Sequence, residues 1–185
     1  MRKDRGMYQE LCNSIGKYLE PKMNVLELAC GTGQLSFPLA EKTHQWEATD
    51  FSEKMIQRAK AGRVPRNLYF SVQDATRLPY GDGFFDAVVI ANALHIMPHP
   101  ELALTEIHRV LKKDGLLFAP TFVSADHQHE KRGRHWIEQV GFRTFYEWDE
   151  NEYINFLTER GFDLLEHKLI PGKRLTECSA VLSRK

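Results

Sequence analysis

Glycines and carboxylates stand at three successive points of the sequence where they could bind a nucleotide. The segment 25–34, Val-Leu-Glu-Leu-Ala-Cys-Gly-Thr-Gly-Gln, is an apolar run that leads into two glycines. Because Gly31 and Gly33 lack a Cβ atom, a ligand can lie against their backbone, and a helix that starts there offers free N–H groups. Asp50 follows the next apolar run and has enough acceptors to hold both hydroxyls of a ribose. Asp74 follows the third run and can accept a hydrogen from an adenine amino group.

Each of these features is common when it occurs alone. A Gly-x-Gly turn often connects an ordinary strand to a helix, and a single aspartate after a strand often caps a helix or closes a turn. Their occurrence in order after three strands predicts one crevice at the carboxyl edge of a parallel sheet. His95 follows the fourth predicted strand and belongs to the same edge. Its imidazole can serve as a general base, or it can be hydrogen-bonded within the pocket wall, and the sequence leaves both alternatives open.

The elements that must position these residues alternate short apolar runs with helical patterns. This alternation is typical of βαβ units and of a mainly parallel sheet. The apolar runs predict strands over 23–28, 45–49, 68–72, 85–91, 116–122, 162–169 and 175–182. The helical patterns predict helices over 7–19, 32–41, 53–61, 100–113, 134–140 and 150–160.

Local signals mark where several of these elements begin and end. Ser52 is predicted to cap the third helix, and Gly115 is predicted to stop the fourth. Asp149 and Glu152 have the spacing of a capping box for the last helix. The short loop at 171–172 predicts that the last two strands form an antiparallel hairpin at the end of the sheet.

The composition excludes several classes of partner and location. Lys+Arg and Asp+Glu are 25 each among 185 residues, so the whole chain carries no net field to attract nucleic acid or an anionic membrane. No window approaches the ~18 apolar residues of a membrane span, and no apolar run follows the charged N-terminus as in a secretory signal. The three cysteines are far apart and lack metal-ligand spacing, which favours a reducing compartment. We therefore expect a cytoplasmic protein.

The loop 27–33, Glu-Leu-Ala-Cys-Gly-Thr-Gly, resembles the first motif of class I S-adenosylmethionine-dependent methyltransferases. Later motifs of that family are similar to Asp50, Asp74 and the stretches 78–88, 91–95 and 106–115. The resemblance covers roughly residues 23–122, with a weaker tail over 148–184, and is strongest to the small-molecule branch that includes the quinone-biosynthesis (type 11) methyltransferases. It implies an α/β, Rossmann-like, seven-stranded and mostly parallel sheet in the order 3-2-1-4-5-7-6. Helices should cover both faces, and an antiparallel hairpin should complete the sheet.

The resemblance also implies a domain organisation and a function. Residues 1–185 should form one methyltransferase domain with an N-terminal helix over 1–20 and a cofactor-binding core over 23–122. Residues 123–147 should cover the substrate, and 148–185 should form the C-terminal helix and hairpin. The implied reaction is in-line transfer of a methyl group from S-adenosylmethionine to a small-molecule acceptor. That acceptor is the expected partner, without nucleic acid or membrane, and the chain is expected to be a monomer or a homodimer.

By the same resemblance, the cofactor is bound by Glu27, Ala29, Gly31, Gly33, Asp50, Phe51, Met55, Asp74, Ala75, Ala91 and His95. The loop should line the methionine moiety, with Glu27 ordering it, and the carbonyl of Ala91 should meet the amino group. Asp50 should hold the ribose, and Asp74 with Ala75 should meet the adenine edge. The family usually has glycine where Ala29 stands, and we expect the loop to fit this methyl group with a small adjustment.

Two other functions remain alternatives to methyl transfer. An NAD(P)-dependent oxidoreductase shares the first half of the architecture, but its fingerprint requires a third small residue, ideally glycine, where this chain has Ser36. A non-catalytic domain that binds a cofactor or a partner is the second alternative. Asn92 and its neighbours do not form the Asn/Asp-Pro-Pro-Tyr/Phe signature of methyltransferases acting on nucleobase amino groups. The missing catalytic triad does not argue against methyl transfer, because positioning alone can lower a barrier by ~7–11 kcal/mol.

Histidines and aromatic residues are concentrated after the fifth predicted strand. His127 and His129 have a spacing that can bind a metal, and His135 follows them, but no acidic or cysteine ligand has a convincing spacing to them. We therefore predict no metal site. The aromatic side chains of the same region suit either an acceptor pocket or core packing.

Overall fold

The computed structural model describes residues 5–124, 144–171 and 176–184. The strands of this part of the chain are β1 (Asn24–Leu28), β2 (Gln45–Asp50), β3 (Leu68–Val72), β4 (Phe85–Ile90), β5 (Leu111–Phe118), β6 (Thr121–Val123), β7 (Phe162–Pro171) and β8 (Thr176–Arg184). The helices are α1 (Arg5–Gly16), α2 (Ser36–Ala40), α3 (Glu53–Ala59), α4 (Pro100–Val110) and α5 (Glu150–Thr158), with a 3₁₀ turn at Leu94–Ile96.

One sheet contains all of these strands, in the order β3-β2-β1-β4-β5-β8-β6, and β7 pairs with β8. The strands from β1 to β5 run parallel, whereas β8 is antiparallel to β5, β6 and β7. The predicted α/β fold and its order 3-2-1-4-5-7-6 are confirmed, with β7 and β8 as the predicted sixth and seventh strands. The short β6 is an addition, because the predicted fifth strand is interrupted after Phe118.

The sheet is buried between two layers of helices. Alternate residues of β1 show this, because Val25 packs in one core with α1, α2 and α3 while Leu26 packs in the other with α4 and α5. Both side chains are fully buried. A strand covered on both faces must be apolar along nearly its whole length, which explains the continuous apolar runs in the sequence. Burial of each such side chain contributes ~1.5–3 kcal/mol.

Several helix ends differ from the predictions, including that of α1, which ends at Gly16 and not at residue 19. Helix α2 begins at Ser36, three residues after Gly33, since the intervening residues form a turn. Helix α4 ends at Val110, and the predicted stop signal Gly115 lies inside β5 instead. The reason is tertiary: Leu111 pairs with Phe85 of β4 and is fully buried, so the chain leaves the helix to join the sheet.

Two predicted caps have different outcomes. Ser52 stands at the N-cap of α3, but no capping bond from its hydroxyl occurs among the described residues. The capping box of α5 is confirmed, because Asp149 Oδ1 accepts the Glu152 N–H at 2.8 Å and Glu152 Oε2 accepts the Asp149 N–H at 3.0 Å. The helix predicted over 134–140 lies outside the described residues.

Surface contacts connect α1 and the two residues that follow it to β7. Lys17 Nζ lies 2.8 Å from Glu166 Oε2, and the Tyr18 hydroxyl donates to the same oxygen at 2.5 Å. Lys168 also pairs with Glu10 of α1. Within residues 5–124, 144–171 and 176–184, every helix is too short or too polar to span a bilayer.

Candidate functional site

A cleft of about 840 Å³ opens at the carboxyl edge of β1, β2, β3 and β4, where the chain leaves each strand. This volume is in the range of pockets that bind small molecules. Nine of the predicted cofactor-binding residues line it, namely Glu27, Ala29, Gly31, Asp50, Phe51, Met55, Asp74, Ala75 and Ala91. Gly33 and His95 are not among the lining residues.

Asp50 joins the loop after β1 to the start of α3. Its Oδ2 accepts the Gly31 N–H at 2.8 Å, and its Oδ1 accepts the Ser52 N–H at 2.8 Å. An ionised carboxylate has about four acceptor positions, so each oxygen keeps capacity for a further donor in the cleft. Asp50 therefore fixes the glycine loop and can still accept hydrogen bonds from vicinal hydroxyls of a ligand.

The loop after β1 reverses direction through three residues with positive φ. Ala29 has φ 54°, Gly31 φ 58° and Gly33 φ 83°. A Cβ atom on Gly31 would meet no protein atom within 4 Å, which leaves its backbone open to a ligand in the cleft. A Cβ atom on Gly33 would lie 2.8 Å from the Phe37 ring, so this glycine permits packing behind the loop. The methyl group of Ala29 is accommodated in a conformation that costs an L-residue roughly 1–2 kcal/mol.

Glu27 supports the loop from inside the sheet. Its Oε2 accepts hydrogen bonds from the Ser36 hydroxyl at 2.5 Å and from Trp46 Nε1 at 2.8 Å, and the side chain is 2% exposed. Burial raises the pKa of Glu27 from its ordinary 4.5 to about 7, although both hydrogen bonds act to lower it and the nearby Asp50 acts to raise it. Ser36, the residue that departs from the dinucleotide fingerprint, thus serves to hold Glu27 in place beneath the loop.

Asp74 forms a tight turn at the rim of the cleft. Its Oδ1 accepts both the backbone N–H of Thr76 at 2.9 Å and the Thr76 hydroxyl at 2.7 Å. The side chain is exposed, and Ala75 lines the cleft beside it. Phe51 lies on the neighbouring loop with 78% of its side chain exposed, so its ring is available to stack on a planar ligand group.

His95 lies in the 3₁₀ turn behind the cleft wall. Nδ1 is 2.9 Å from the Thr121 hydroxyl, and the ring packs edge-on against Phe122. The carbonyl oxygen of His95 accepts the N–H groups of Phe145 and Tyr146 at 2.9 and 3.2 Å. Burial lowers the pKa of His95 from 6.5 to about 4, so the imidazole is neutral at physiological pH. These contacts favour the alternative in which His95 supports the wall.

The wall after β4 contains residues that the sequence interpretation did not select. Ile96, Met97, Pro98, His99 and Leu102 line the cleft opposite the glycine loop, and Leu102 is 48% exposed. They form an apolar rim with one imidazole. The signal available in the sequence was the run of apolar residues between the end of β4 and the first turn of α4, which sequence alone does not distinguish from core.

The electrostatic character of the cleft restricts its ligand. Three acidic side chains, Glu27, Asp50 and Asp74, contribute to the described lining, and no lysine or arginine does. Such a site repels phosphates and attracts a cationic group. Among the described residues, no three His, Cys, Asp or Glu side chains are grouped so as to hold a metal ion. The histidines at 127, 129 and 135 and the aromatic residues up to 142 lie outside the described residues.

Comparison with known proteins places this architecture in a family. A family model described as a methyltransferase domain matches residues 26–119. A ubiquinone/menaquinone biosynthesis C-methyltransferase, UbiE, of Rhizobium johnstonii is 33% identical over 129 residues, which are 66% of this chain and 50% of that protein. The chain spans about half the length or less of the curated relatives it matches.

Two solved structures have the same fold. The PH0226 protein of Pyrococcus horikoshii OT3 has a TM-score of 0.81 at 23% identity, covering 100% of this chain and 92% of that one. A Haloferax volcanii protein solved in complex with the Trm112 methyltransferase activator has a TM-score of 0.80 at 20% identity, covering 98% and 93%. With half of its residues matched by the family model, this chain belongs to the methyltransferase domain family, in the type 11 branch.

Proposed function

We propose that this chain binds S-adenosylmethionine in the cleft and transfers its methyl group to a small-molecule acceptor. The observation that carries the proposal is the convergence of the Gly31 loop, Asp50 and Asp74 on one cleft of about 840 Å³. Family membership and the names of the relatives support the same function.

The chemistry of the lining fits this cofactor. A ribose presents two hydroxyls to Asp50, whose oxygens are already oriented by Gly31 and Ser52. The adenine has the exposed ring of Phe51 to stack on and the Asp74 turn to meet its edge. The cationic methionine end suits a cleft whose described lining has three acidic side chains and no lysine or arginine. The negative pyrophosphate of a dinucleotide would be repelled by these acidic side chains, which disfavours the oxidoreductase alternative.

The residues of the chain act by holding and orienting the cofactor and the acceptor. When bound, S-adenosylmethionine supplies a methyl group that is already activated on a sulfonium. The Asp50 bonds to Gly31 and Ser52 fix the loop before ligand arrives, which limits the ordering cost of binding. The apolar rim of Ile96, Met97 and Leu102 can hold an acceptor beside the loop and exclude water. We therefore propose a small and largely apolar acceptor.

We propose that His95 positions the wall and does not transfer protons. Its Nδ1 is engaged with Thr121, and its low pKa makes it a weak base. The carbonyl bonds to Phe145 and Tyr146 hold residues 144–148 against the 3₁₀ turn. Under this proposal a variant at His95 changes stability more than the rate per folded molecule.

Binding calorimetry with S-adenosylmethionine, S-adenosylhomocysteine and NADH tests the cofactor. We expect binding of the first two and none of NADH. Asp50→Ala should abolish binding, and Glu53→Ala, on the exposed first turn of α3, serves as the matched control that should not. Binding of NADH alone would reverse the assignment.

Transfer is measured separately, with radiolabelled S-adenosylmethionine and a fractionated metabolite pool as the source of acceptors. Label should appear in an apolar fraction and should be lost in Asp50→Ala. If the cofactor binds but no fraction becomes labelled, the non-catalytic binding domain becomes the better assignment.

A further inference from the structure

Strand β3 forms one edge of the described sheet and lacks the features that usually prevent an edge from pairing. Its sequence Leu-Tyr-Phe-Ser-Val contains no charge and no proline, and its register with β2 has no irregularity. Tyr69 is 50% exposed and Val72 is 46% exposed. An edge strand of this kind offers backbone N–H and C=O groups to another strand, although the Leu68 N–H already donates to the Pro65 carbonyl at 3.2 Å.

Strand β7, which pairs on one side with β8, is protected in the ways that edge strands usually are. Its register shifts between Leu164 and Glu166, and its sequence contains Asp163, Glu166, His167 and Lys168. Glu166 forms an ion pair with Lys17, directly after α1, and Lys168 forms one with Glu10 of α1. Of these two strands, β3 is thus the one without charged side chains and without a register shift.

The hydrogen bonds to β2 determine which groups of β3 face outward. The carbonyl of Asn67 accepts the Trp46 N–H, and the Gln73 N–H donates to the Asp50 carbonyl. Because backbone groups alternate direction along a strand, the odd-numbered residues of β3 bond to β2 and the even-numbered ones point away from it. Phe70 therefore presents both its N–H and its C=O at the edge, midway along the strand.

We propose that a second copy of this chain pairs with β3 in antiparallel fashion, on a two-fold axis at Phe70. This axis makes the outward groups of the two Phe70 residues bond to each other, and it places Leu68 of one copy opposite Val72 of the other. It also brings Arg66, two residues before the strand, towards Asp74 of the other copy, two residues after it. Both side chains are exposed and opposite in charge. Each contact occurs twice, as an isologous interface requires.

The charge pattern favours the antiparallel arrangement of the two β3 strands over a parallel one. In a parallel in-register pair, Arg66 would lie beside Arg66 and Asp74 beside Asp74, which is repulsive. The interface adds hydrogen bonds and buries Tyr69 and Val72, but it is only five residues long. We therefore expect a weak dimer.

Sedimentation velocity over protein concentrations up to about 500 µM measures the dimer directly. Val72→Lys places a charge on the edge and should raise the dissociation constant by at least about tenfold. Leu165→Lys makes the same change at a 53% exposed leucine of β7 and should leave the constant unchanged. A chain that stays monomeric over the whole concentration range would overturn the proposal, as would equal weakening by both variants.

Cysteine cross-linking tests the register without depending on a lysine variant. In the proposed pairing, Tyr69 faces Ser71 of the other copy at a non-hydrogen-bonded position, where Cα atoms lie ~4.5 Å apart, close enough for a disulfide. Tyr69→Cys mixed with Ser71→Cys should give a linked dimer under mild oxidation, and neither variant alone should. The native cysteines are buried. Linkage of either variant alone as fast as the mixture would refute this axis, and no linkage at any concentration would refute the interface.

Discussion

Replacing Glu27 with glutamine tests whether burial under the glycine loop destabilises the ionised form of this side chain. Glutamine keeps an oxygen that can accept from Ser36 and Trp46, but it removes the titrating group and adds two amide hydrogens. A buried amide that pairs less well than the carboxyl group adds a cost of ~1–3 kcal/mol that does not depend on pH. The informative quantity is therefore how the difference in unfolding free energy between variant and wild type changes with pH.

The sign and the size of this pH dependence follow from the pKa values of Glu27 in the folded and unfolded states. The pKa of Glu27 is about 7 in the folded state against 4.5 ordinarily, so between these values the folded state binds more protons than the unfolded state. Wild-type stability from this group is therefore highest at acid pH and falls as pH rises from about 5 towards 8. The whole loss is ~3 kcal/mol, at ~1.4 kcal/mol per pKa unit. Glu27→Gln lacks this loss, so its stability relative to wild type should improve by ~2–3 kcal/mol across that interval.

Urea unfolding of both proteins at pH 5, 6, 7 and 8 gives this difference, since every other titrating group is common to the two and cancels. Glu41→Gln, an exposed glutamate just after α2, is the control and should follow the wild-type curve at every pH. A difference between Glu27→Gln and wild type that stays constant within ~0.5 kcal/mol would show that Glu27 is not destabilised by burial, and the electrostatic description of the loop would be wrong.

Four further predictions concern the loop and the wall. Gly33→Ala should lower stability by roughly 1–3 kcal/mol in urea unfolding, because its Cβ meets the Phe37 ring at positive φ. Gly31→Ala should cost only ~1–2 kcal/mol but should weaken S-adenosylhomocysteine binding in calorimetry, since its Cβ points into open space in the cleft; equal effects of the two variants on binding would contradict these roles. Asp50→Asn should weaken the same binding at least about tenfold, because the Gly31 N–H loses a charged acceptor. The pKa of His95 is lowered to about 4, so the wild-type free energy of unfolding should fall by up to ~3 kcal/mol as pH drops from 7 towards 4. In His95→Gln this fall should be smaller.

The fold was accessible from the sequence because strands covered on both faces are continuous apolar runs. Val25 and Leu26 point to opposite cores, and both are buried, so the run that contains them could be recognised without knowing its partners. The order of strands came from the resemblance of the loop and strand-end motifs. The end of α4 was placed wrongly because the signal at Gly115 is local, whereas Leu111 leaves the helix to pair with Phe85.

The site was predicted in part, for a similar reason. Residues at the end of a parallel strand or shortly after it reach the same edge of the sheet, so all but Met55 of the nine selected positions in the cleft lie there. The direction of a side chain in a turn is set by distant residues, and sequence does not give it. His95 turns towards Thr121, and Gly33 packs against Phe37, so both lie behind the surface that they were expected to line. Hydrogen-bond donors to Glu27 could have been predicted, because a carboxylate within a buried strand requires them.

The position of β8 has a consequence for how this protein is made. Residues 176–184 pair with β5, β6 and β7, so one late segment completes three strands that are synthesised before it. A ribosome-bound chain that ends before Thr176 leaves those strands without their partner, and chaperones would meet an incomplete sheet until this segment emerges. For expression, a truncation or a bulky fusion that disturbs this segment should reduce the yield of folded protein more than a comparable change before α1.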